Sequence, residues 1–239
     1  MTRSSKATPL TTIVAIPCFN TEGFIADVVS RARRHVDQVI VIDDGSHDST
    51  AERAKAAGAT VVSHGVNRGY GETIRSCLKA AKEDGADILA ILDGDGQHDP
   101  DELPQILAPI LRGEADVVVG SRFLGGRTNM PRYRKFGIDV ITFLCNFGSN
   151  VRVSDAQSGF RAYSANVIAD FPLKANGMTI SVEILIRARE RSFSIKEVPI
   201  SCIYHSNSSS INPMIHGLGV LFSVLKLRLK GFLHRRGDR

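Results

Sequence analysis

The stretch that most constrains the fold of this chain is 88–100, an apolar run that ends abruptly in acids and glycines. Residues 88–92 are all apolar, a pattern typical of a strand buried inside a parallel sheet. Three acids and two glycines follow it: Asp93, Asp95, Asp99, Gly94 and Gly96. The glycines release the backbone from strand geometry, so that the chain can turn and direct several side chains at one point. The stretch therefore predicts an α/β fold with a ligand site at the carboxyl end of this strand.

Asp93 and Asp95 have the chemistry of a divalent cation site. Carboxylate oxygens suit Mg²⁺ and Mn²⁺, and Mg²⁺ is commonly held by one or two carboxylates together with substrate phosphates. Gln97, two residues further on, can add an amide oxygen. The alternative is a plain solvated turn, because acids and glycines often follow a strand. The combination predicts a Mg²⁺ or Mn²⁺ site in an enzyme that handles a nucleotide diphosphate.

Short apolar runs alternate with amphipathic segments along the chain. We predict strands over 12–16, 39–42, 59–63, 88–92 and 115–120. We predict helices over 24–36, 71–84 and 102–111. A further helix is predicted to begin at a capping box at 49–52 and to run toward residue 58. Such alternation predicts a mostly parallel sheet with right-handed crossovers. A buried helix over 177–189 and an edge strand over 195–203, marked by Pro199, are predicted further on.

A second acid pair, Asp43 and Asp44, ends the strand at 39–42. The carboxyl edge of a parallel sheet would bring it alongside Asp93 and Asp95. Carboxylates at such an edge accept from a base N–H or from ribose hydroxyls. The alternative is a turn in which the Asp and Ser side chains satisfy local backbone N–H groups.

Cations precede an apolar segment in the second half of the chain. They are Arg127, Arg132, Arg134 and Lys135, and the segment is 136–147. Guanidinium groups suit phosphate, whereas an exposed basic loop without a ligand is the alternative. The segment is far too short to span a bilayer, and it suits either a core helix or a helix at a membrane surface.

The net charge of +5 resides in the C-terminal tail, because the body is balanced in acids and bases. Residues 213–233 combine an apolar helical face with flanking Lys226, Arg228 and Lys230, which favours an interfacial helix. The alternative is an ordinary packing helix or a contact between copies in a homo-oligomer. We expect one domain over 1–210 and an amphipathic basic extension over 211–239.

Other residues bear on compartment and packing. The four cysteines form no C-x-x-C pair, which favours a reducing compartment without disulfides or zinc. The N-terminal residues lack the apolar core of a signal peptide, so we expect no export signal. Glu183 in the helix over 177–189 either supports the acceptor phosphate, supports the metal, or pairs structurally with an arginine.

Six motifs follow one another along the chain: Pro17-Cys18-Phe19-Asn20, Val41-Ile42-Asp43-Asp44-Gly45-Ser46, Asn67-x-Gly69-x-Gly71, Asp93-Gly94-Asp95-Gly96-Gln97-His98, Val119-Gly120-Ser121-Arg122 and Asp155-Ala156-Gln157-Ser158-Gly159-Phe160-Arg161. Together they resemble the family 2 inverting glycosyltransferases, within them the dolichol-phosphate mannose synthase-like branch, whose members are polyprenyl-phosphate glycosyltransferases. The resemblance covers roughly residues 10–205.

The resemblance implies a GT-A fold and a nucleotide-sugar donor bound through a divalent cation. It implies a nucleotide site at Pro17, Phe19, Glu22, Asp43, Asp44, Arg68, Gly71, Asp93 and Gly94, and metal ligands at Asp93, Asp95 and Gln97. It further implies that Arg122 meets phosphate charge, whereas Asp155 and Gln157 face the reacting sugar.

The donor and acceptor follow from two further observations. Mannose synthases tend to carry a basic residue in a Gly/Ser-rich segment after the last strand, but the segment 204–213 has no Lys or Arg, so UDP-N-acetylglucosamine and UDP-glucose stand beside GDP-mannose as donors. A lipid phosphate is already an anion, whereas a hydroxyl acceptor needs a general base, for which Asp155 is the candidate.

We therefore expect a protein peripheral to the inner, cytoplasmic membrane face that transfers a sugar to dolichyl or polyprenyl phosphate. The alternatives are transfer to a saccharide or protein hydroxyl, and an inactive regulatory protein that binds nucleotide sugars. Nucleic-acid binding is not expected, because the basic tail lacks interleaved aromatic residues and no reader motif is present.

Overall fold

The computed structural model describes residues 9–125, 129–169 and 171–203. The strands are Thr12–Cys18 (β1), Gln38–Asp43 (β2), Thr60–Ser63 (β3), Ile88–Ile91 (β4), Val117–Ser121 (β5), Arg161–Ser164 (β6) and Ile195–Pro199 (β7). The helices are Ile25–Ala32 (α1), Thr50–Ala56 (α2), Tyr70–Glu83 (α3), Leu103–Leu111 (α4), Arg132–Asn146 (α5), Ala165–Ala169 (α6) and Thr179–Glu190 (α7), with a 3₁₀ turn at Pro100–Glu102 before α4.

The strands form one seven-stranded sheet in the order β3-β2-β1-β4-β6-β5-β7. Neighbours pair in parallel except at β6, which runs antiparallel to both β4 and β5. The predicted mostly parallel sheet is confirmed, and β7, which carries Pro199, lies at its edge as predicted. The strand β6 was not predicted, because its residues, R-A-Y-S, do not form an apolar run.

Both faces of the sheet are buried, which explains the continuous apolar runs. Alternate residues of β1 point to opposite sides: Ile13 and Ala15 pack with α3, α5, α6 and α7, whereas Val14 and Ile16 pack with α1 and α4. The two helical layers leave the carboxyl ends of the parallel strands uncovered by core residues, and the polar side chains collect there.

Two local predictions differ from the structure. β1 continues through Pro17 to Cys18, because the Pro17 carbonyl still accepts a hydrogen bond, from the backbone N–H of Gly94 at 3.3 Å. The capping box was wrong: Ser49 precedes α2, but its side chain makes no capping bond. Asp48 instead accepts from the backbone N–H and the hydroxyl of Thr50, at 3.0 and 2.5 Å.

The four cysteines are free, and all four are buried. No helix in the described part of the chain is long and apolar enough to cross a bilayer. The predicted extension over 211–239 lies outside the described residues, and so does Arg127.

Candidate active site

The carboxyl ends of β2, β1 and β4 lie side by side and bring the two acid pairs to one edge of the sheet. β1 pairs in parallel with β2 on one side and with β4 on the other. At the strand ends, the backbone N–H of Asp44 donates to the Cys18 carbonyl at 2.9 Å. The backbone of Gly94 follows β1 so closely that a Cβ there would lie 3.0 Å from the Cys18 Cβ. The predicted convergence of the acids along this edge is therefore observed.

Asp44 is buried and holds the loop that follows β3. Its carboxylate accepts from the backbone N–H groups of Arg68 and Gly69, at 2.9 and 2.8 Å. The same carboxylate lies 2.7 Å from Nδ1 of His64, whose Nε2 is 2.8 Å from the Ser76 hydroxyl. Sequence reasoning missed His64, because no motif connects a single histidine to Asp44, which lies 20 residues earlier in the chain. The predicted role of Asp44 and Arg68 in nucleotide binding stays a prediction.

Asp43 has a similar structural role beside it. Its carboxylate accepts from the backbone N–H of Ser46 and from the Ser63 hydroxyl, both at 3.1 Å. These contacts agree with the alternative stated above, in which Asp43 accepts hydrogen bonds from donors in and near the turn. A direct contact of Asp43 with a base or ribose stays a prediction.

The other predicted nucleotide residues line the same edge or pack beneath it. Phe19 is half-exposed, and its ring meets the ring of His47 edge-on at 6.2 Å. Glu22 accepts from the backbone N–H of Ser49, at the start of α2, at 3.1 Å. Gly71 allows α3 to approach a neighbouring loop, since a Cβ there would lie 2.7 Å from the Ala175 carbonyl oxygen.

Asp93 is at the centre of the edge. Its Oδ1 accepts from the Tyr70 hydroxyl at 3.3 Å. Burial and the charge of Asp95 raise the pKa of Asp93 to about 7, against the opposing charges of Arg122 and Arg161. Two carboxylates that repel each other at this partly buried position favour a bound cation or a proton.

Asp95 and Gln97 contact each other. Oδ1 of Asp95 accepts from the Gln97 backbone N–H at 3.1 Å, and Oδ2 accepts from the Gln97 amide at 2.6 Å. In the described ranges, no three acidic, histidine or cysteine side chains already surround one point. The oxygen donors and their mutual repulsion fit a divalent cation that is completed by diphosphate oxygens. Direct ligation by Gln97 stays a prediction.

Arg122 and Asp155 form a buried bidentate ion pair next to Asp93. Nε of Arg122 donates to Oδ2 of Asp155 at 2.6 Å, and Nη2 donates to Oδ1 at 2.8 Å. Asp155 is 0% exposed and Arg122 9%. Burial acts to raise the pKa of Asp155, but the hydrogen bonds and charge of Arg122 outweigh it, and the pKa is lowered. Asp155 is therefore an anion whose two oxygens are already engaged.

Gln157 follows in the same loop. Its backbone N–H donates to Oδ1 of Asp155 at 3.3 Å. Its side-chain Nε2 is buried and has no hydrogen-bond partner among the residues that the structure describes. A buried amide without a partner is costly and calls for an explanation, and a bound substrate oxygen would supply one.

Glu197 on β7 supports this loop from below, and sequence reasoning missed it. Its carboxylate accepts from the backbone N–H and hydroxyl of Ser154, at 2.7 and 3.0 Å, and from the backbone N–H of Asp155, at 3.1 Å. Its only signal in the sequence was an acid within a predicted strand.

Arg161 supports the same loop from inside the core. It is almost fully buried, and its guanidinium donates to the backbone carbonyls of Ser158, Ala156 and Ser181, at 2.8, 2.8 and 2.7 Å. Its charge also opposes the rise in the pKa of Asp93. Arg161 therefore connects the Asp155 loop to the cation site.

The predicted acceptor cations lie at the start of α5. Arg132, Arg134 and Lys135 are in its first turn, which holds no acid. Lys135 pairs with Asp139, at 2.8 Å, and its Nζ lies 4.7 Å from the centroid of the Phe123 ring. Large exposed rings follow along α5 and the residue directly after it: Tyr133, Phe136, Phe143 and Phe147 are 61%, 71%, 65% and 69% exposed.

Glu183, for which three roles were open, makes structural contacts. Its Oε2 accepts from the backbone N–H groups of Lys174 and Ala175, at 2.8 and 2.7 Å, and Arg187 lies 3.6 Å from its other oxygen. These contacts agree with the structural alternative.

Comparisons with known proteins agree with this arrangement. Residues 13–171 match the glycosyl transferase family 2 domain. A UDP-N-acetylglucosamine–dolichyl-phosphate N-acetylglucosaminyltransferase of Methanococcus voltae is 33% identical over 238 residues, which cover 90% of this chain and 94% of that protein. A dolichyl-phosphate hexose transferase of Haloferax volcanii is 30% identical over 219 residues, which cover 91% and 93%.

A solved structure shows the same architecture. It is that of glucosyl-3-phosphoglycerate synthase from Mycobacterium tuberculosis in complex with Mn²⁺, UDP-glucose and phosphoglyceric acid. It superposes with a TM-score of 0.70 at 25% identity, over 90% of this chain and 79% of that one. The implied GT-A fold is confirmed. The chain belongs to glycosyl transferase family 2, and it is a glycosyltransferase.

Proposed function

We propose that this glycosyltransferase moves a sugar, with inversion, from a UDP-sugar to dolichyl or polyprenyl phosphate at the cytoplasmic face of a membrane. The observation that carries the proposal is α5, where cations in the first turn adjoin an exposed aromatic face. UDP-N-acetylglucosamine is the first candidate donor and UDP-glucose the second, ahead of GDP-mannose.

The charge at the start of α5 favours an anionic acceptor. The N-terminus of a helix carries the positive end of its dipole, so acids stabilise the first turn and cations do not. Arg132, Arg134 and Lys135 nevertheless occupy the first turn of α5. A phosphate bound there would be held by both the dipole and the side chains.

The chemistry of Asp155 also favours a phosphate acceptor. A hydroxyl acceptor needs a base with a free oxygen that can take a proton. Both oxygens of Asp155 accept from Arg122, and its pKa is lowered, so that it is a poor base. A lipid phosphate is ionised at neutral pH and needs no such base.

The aromatic face of α5 supports a membrane surface as the place of reaction. Contiguous exposed apolar side chains on a soluble domain mark a contact surface for protein or membrane. Aromatic rings beside lysine and arginine are typical of interfacial helices. Because the cations lie at one end of the same helix, a lipid phosphate in the membrane surface would reach them.

Three observations support the donor. The Methanococcus voltae relative is named for UDP-N-acetylglucosamine and dolichyl phosphate, and the solved Mycobacterium tuberculosis structure holds UDP-glucose with Mn²⁺. Asp93 and Asp95 fit a divalent cation, which would neutralise the charge of the departing diphosphate. The free cysteines suit the reducing cytoplasm, where nucleotide sugars are expected.

In this mechanism the residues bind and orient the reactants. An oxygen of the lipid phosphate attacks C1 of the sugar from the face opposite the diphosphate. The new C1–O bond forms as the C1–O bond to the diphosphate breaks, and the bonding electrons leave with UDP. Arg122 holds Asp155 in place, the Gln157 amide donates to the sugar, and the cations of α5 hold the acceptor phosphate.

A donor and acceptor screen with purified protein tests the proposal. Each of UDP-N-acetylglucosamine, UDP-glucose and GDP-mannose, labelled in the sugar, is incubated with Mn²⁺ and a short-chain polyprenyl phosphate, and label in the organic phase is counted. The matched control is the corresponding polyprenol, which lacks the phosphate. We expect label from a UDP-sugar to enter the lipid when polyprenyl phosphate is the acceptor. We expect no label in the lipid when the acceptor is polyprenol or when EDTA is present.

Other outcomes separate the alternatives. Equal transfer to polyprenol, or transfer only to a saccharide or peptide, would favour a hydroxyl acceptor and refute the proposal. Donor binding without transfer to any acceptor, unaffected by EDTA, would indicate a regulatory nucleotide-sugar-binding protein.

A further inference from the structure

His98 carries a buried nitrogen that the site described so far does not use. The side chain lies directly after the metal motif and is 5% exposed. Its Nδ1 is buried and has no hydrogen-bond partner in the described ranges of the chain. Leaving such an atom unpaired is unfavourable, so the position calls for an explanation.

Nδ1 of His98 lies near Oδ2 of Asp93. The two atoms are 3.7 Å apart. This separation is too long for a hydrogen bond. It is, however, within the span of two ligands of one cation, because metal–ligand bonds of about 2.0–2.2 Å place two ligands no more than about 4.0–4.4 Å apart.

The residues around Asp93 leave its Oδ2 facing Nδ1 of His98. Oδ1 of Asp93 accepts from the Tyr70 hydroxyl, which leaves Oδ2 toward His98. Gly159 lies on the same side, and a Cβ at that position would be 2.4 Å from Oδ2. The space next to Oδ2 therefore exists only because residue 159 has no side chain.

The imidazole itself is held in place from two sides. Its ring packs on Phe160 at a centroid distance of 5.4 Å. Its backbone pairs with Cys202 in an isolated antiparallel bridge, and the backbone N–H of Ile203 donates to the Gln97 carbonyl at 2.9 Å. The chain that follows β7 thus holds the backbone of Gln97 and His98, while Phe160 packs on the ring of His98.

We propose that His98 is a ligand of the divalent cation, through Nδ1, beside Asp93. An imidazole nitrogen is a softer donor than a carboxylate oxygen and suits transition metals better than Mg²⁺. The consequence is a site that prefers Mn²⁺ to Mg²⁺, with His98 as the residue that sets the preference. The inference rests on the proposed function, because it requires a cation at Asp93.

Pulsed electron paramagnetic resonance of Mn²⁺ bound to the wild-type protein with UDP tests the inference directly. A histidine nitrogen bonded to Mn²⁺ modulates the electron spin echo at ¹⁴N frequencies. We expect this modulation in the wild type and its loss in His98→Leu, with the signal unchanged in the control His35→Leu. His35 is on the surface, where it bonds Asp101 at 2.9 Å.

Affinities measured by calorimetry with UDP separate ligation from packing. We expect His98→Leu to weaken Mn²⁺ binding about tenfold or more and Mg²⁺ binding less than about threefold. A packing role, or a role that only orients Asp93, would weaken both cations alike and would overturn the inference. Thermal melting without metal checks that the variant is folded.

Two failures can be told apart. If Mn²⁺ binds with UDP but the wild type shows no ¹⁴N modulation, His98 is not a ligand and only this inference fails. If neither cation binds in the presence of UDP, the metal dependence of the proposed function fails with it. The spectrum of the wild type decides the question even if His98→Leu does not fold.

Discussion

Replacing the exposed rings of α5 should separate membrane binding from stability. The rings of Phe136, Phe143 and Phe147 are 71%, 65% and 69% exposed, so they contribute little to the core. We expect Ser at these positions, singly or together, to leave the free energy of unfolding within about 0.5 kcal/mol of wild type. In the proposed function the same rings enter the lipid interface, and their loss there should be large.

The magnitude follows from the exposed fractions. Fully burying a Phe side chain contributes about 2 kcal/mol, and about seven-tenths of each ring is still available for burial. Each ring should therefore contribute about 1.4 kcal/mol to membrane partitioning, which is about tenfold. The triple variant should partition about a thousandfold less, if the three contributions add.

Sedimentation with sucrose-loaded vesicles, some neutral and some with anionic lipid, measures the partitioning. The matched control is Leu111→Ser, which removes a side chain that is 50% exposed on α4, on the opposite side of the sheet. The control should partition like wild type. A triple variant that partitions within about twofold of wild type would refute the membrane role of α5, as would an equal loss in the control.

Three further predictions concern the site and the fold. Gly159→Ala places a Cβ 2.4 Å from an Asp93 oxygen, so calorimetry should show at least about tenfold weaker cation and donor binding, whereas Gly137→Ala, whose Cβ meets nothing within 4 Å, should bind normally and melt higher. Asp155→Asn removes the negative charge that faces the buried guanidinium of Arg122 and should lower the free energy of unfolding by about 3–5 kcal/mol, while turnover is slowed; complete loss of turnover in folded protein would favour a base. Burial acts to raise the pKa of Asp116, but hydrogen bonds from neighbouring serines outweigh it and lower the pKa, so the stability it provides is present at neutral pH and is lost as pH falls through the lowered value; Asp116→Asn should therefore flatten the acid limb of a stability–pH curve, and an unchanged limb would contradict this.

The convergence of the acids could be predicted because it depends on local patterns and one topological rule. Apolar runs marked β2 and β4, and parallel strands present their carboxyl ends at one edge. Asp43, Asp44 and Asp93 had to meet there once β1 lay between those strands. Pro199 predicted that β7 is an edge strand for another local reason, because proline has no N–H to donate to a neighbouring strand.

The partners of these acids could not be predicted, because folding alone brings them together. Glu197 meets Asp155 across 42 residues, and His64 meets Asp44 across 20. Neither pair has a spacing that a sequence pattern can mark.

β6 escaped prediction for a related reason. It begins with Arg161, a charged residue that sequence patterns assign to the surface. In the structure Arg161 is buried because the backbone carbonyls of Ser158, Ser181 and Ala156 accept its hydrogen bonds. A sequence pattern does not show which carbonyls will lie near an arginine, so it did not predict a buried strand here.

Helix α5 contacts the loop that carries Asp155. On its inner side, the Thr142 hydroxyl accepts from the backbone N–H of Ala156 at 3.1 Å, and Asn146 bonds both backbone groups of Val153, at 2.7 and 3.1 Å. These bonds fix the loop that carries Asp155 directly against the helix. The cations lie at the start of the same helix, and the exposed rings follow along its outer face. If α5 lies in the lipid interface, as the proposed function requires, the same helix would hold both the loop that carries Asp155 and the cations proposed for the acceptor phosphate near the membrane surface.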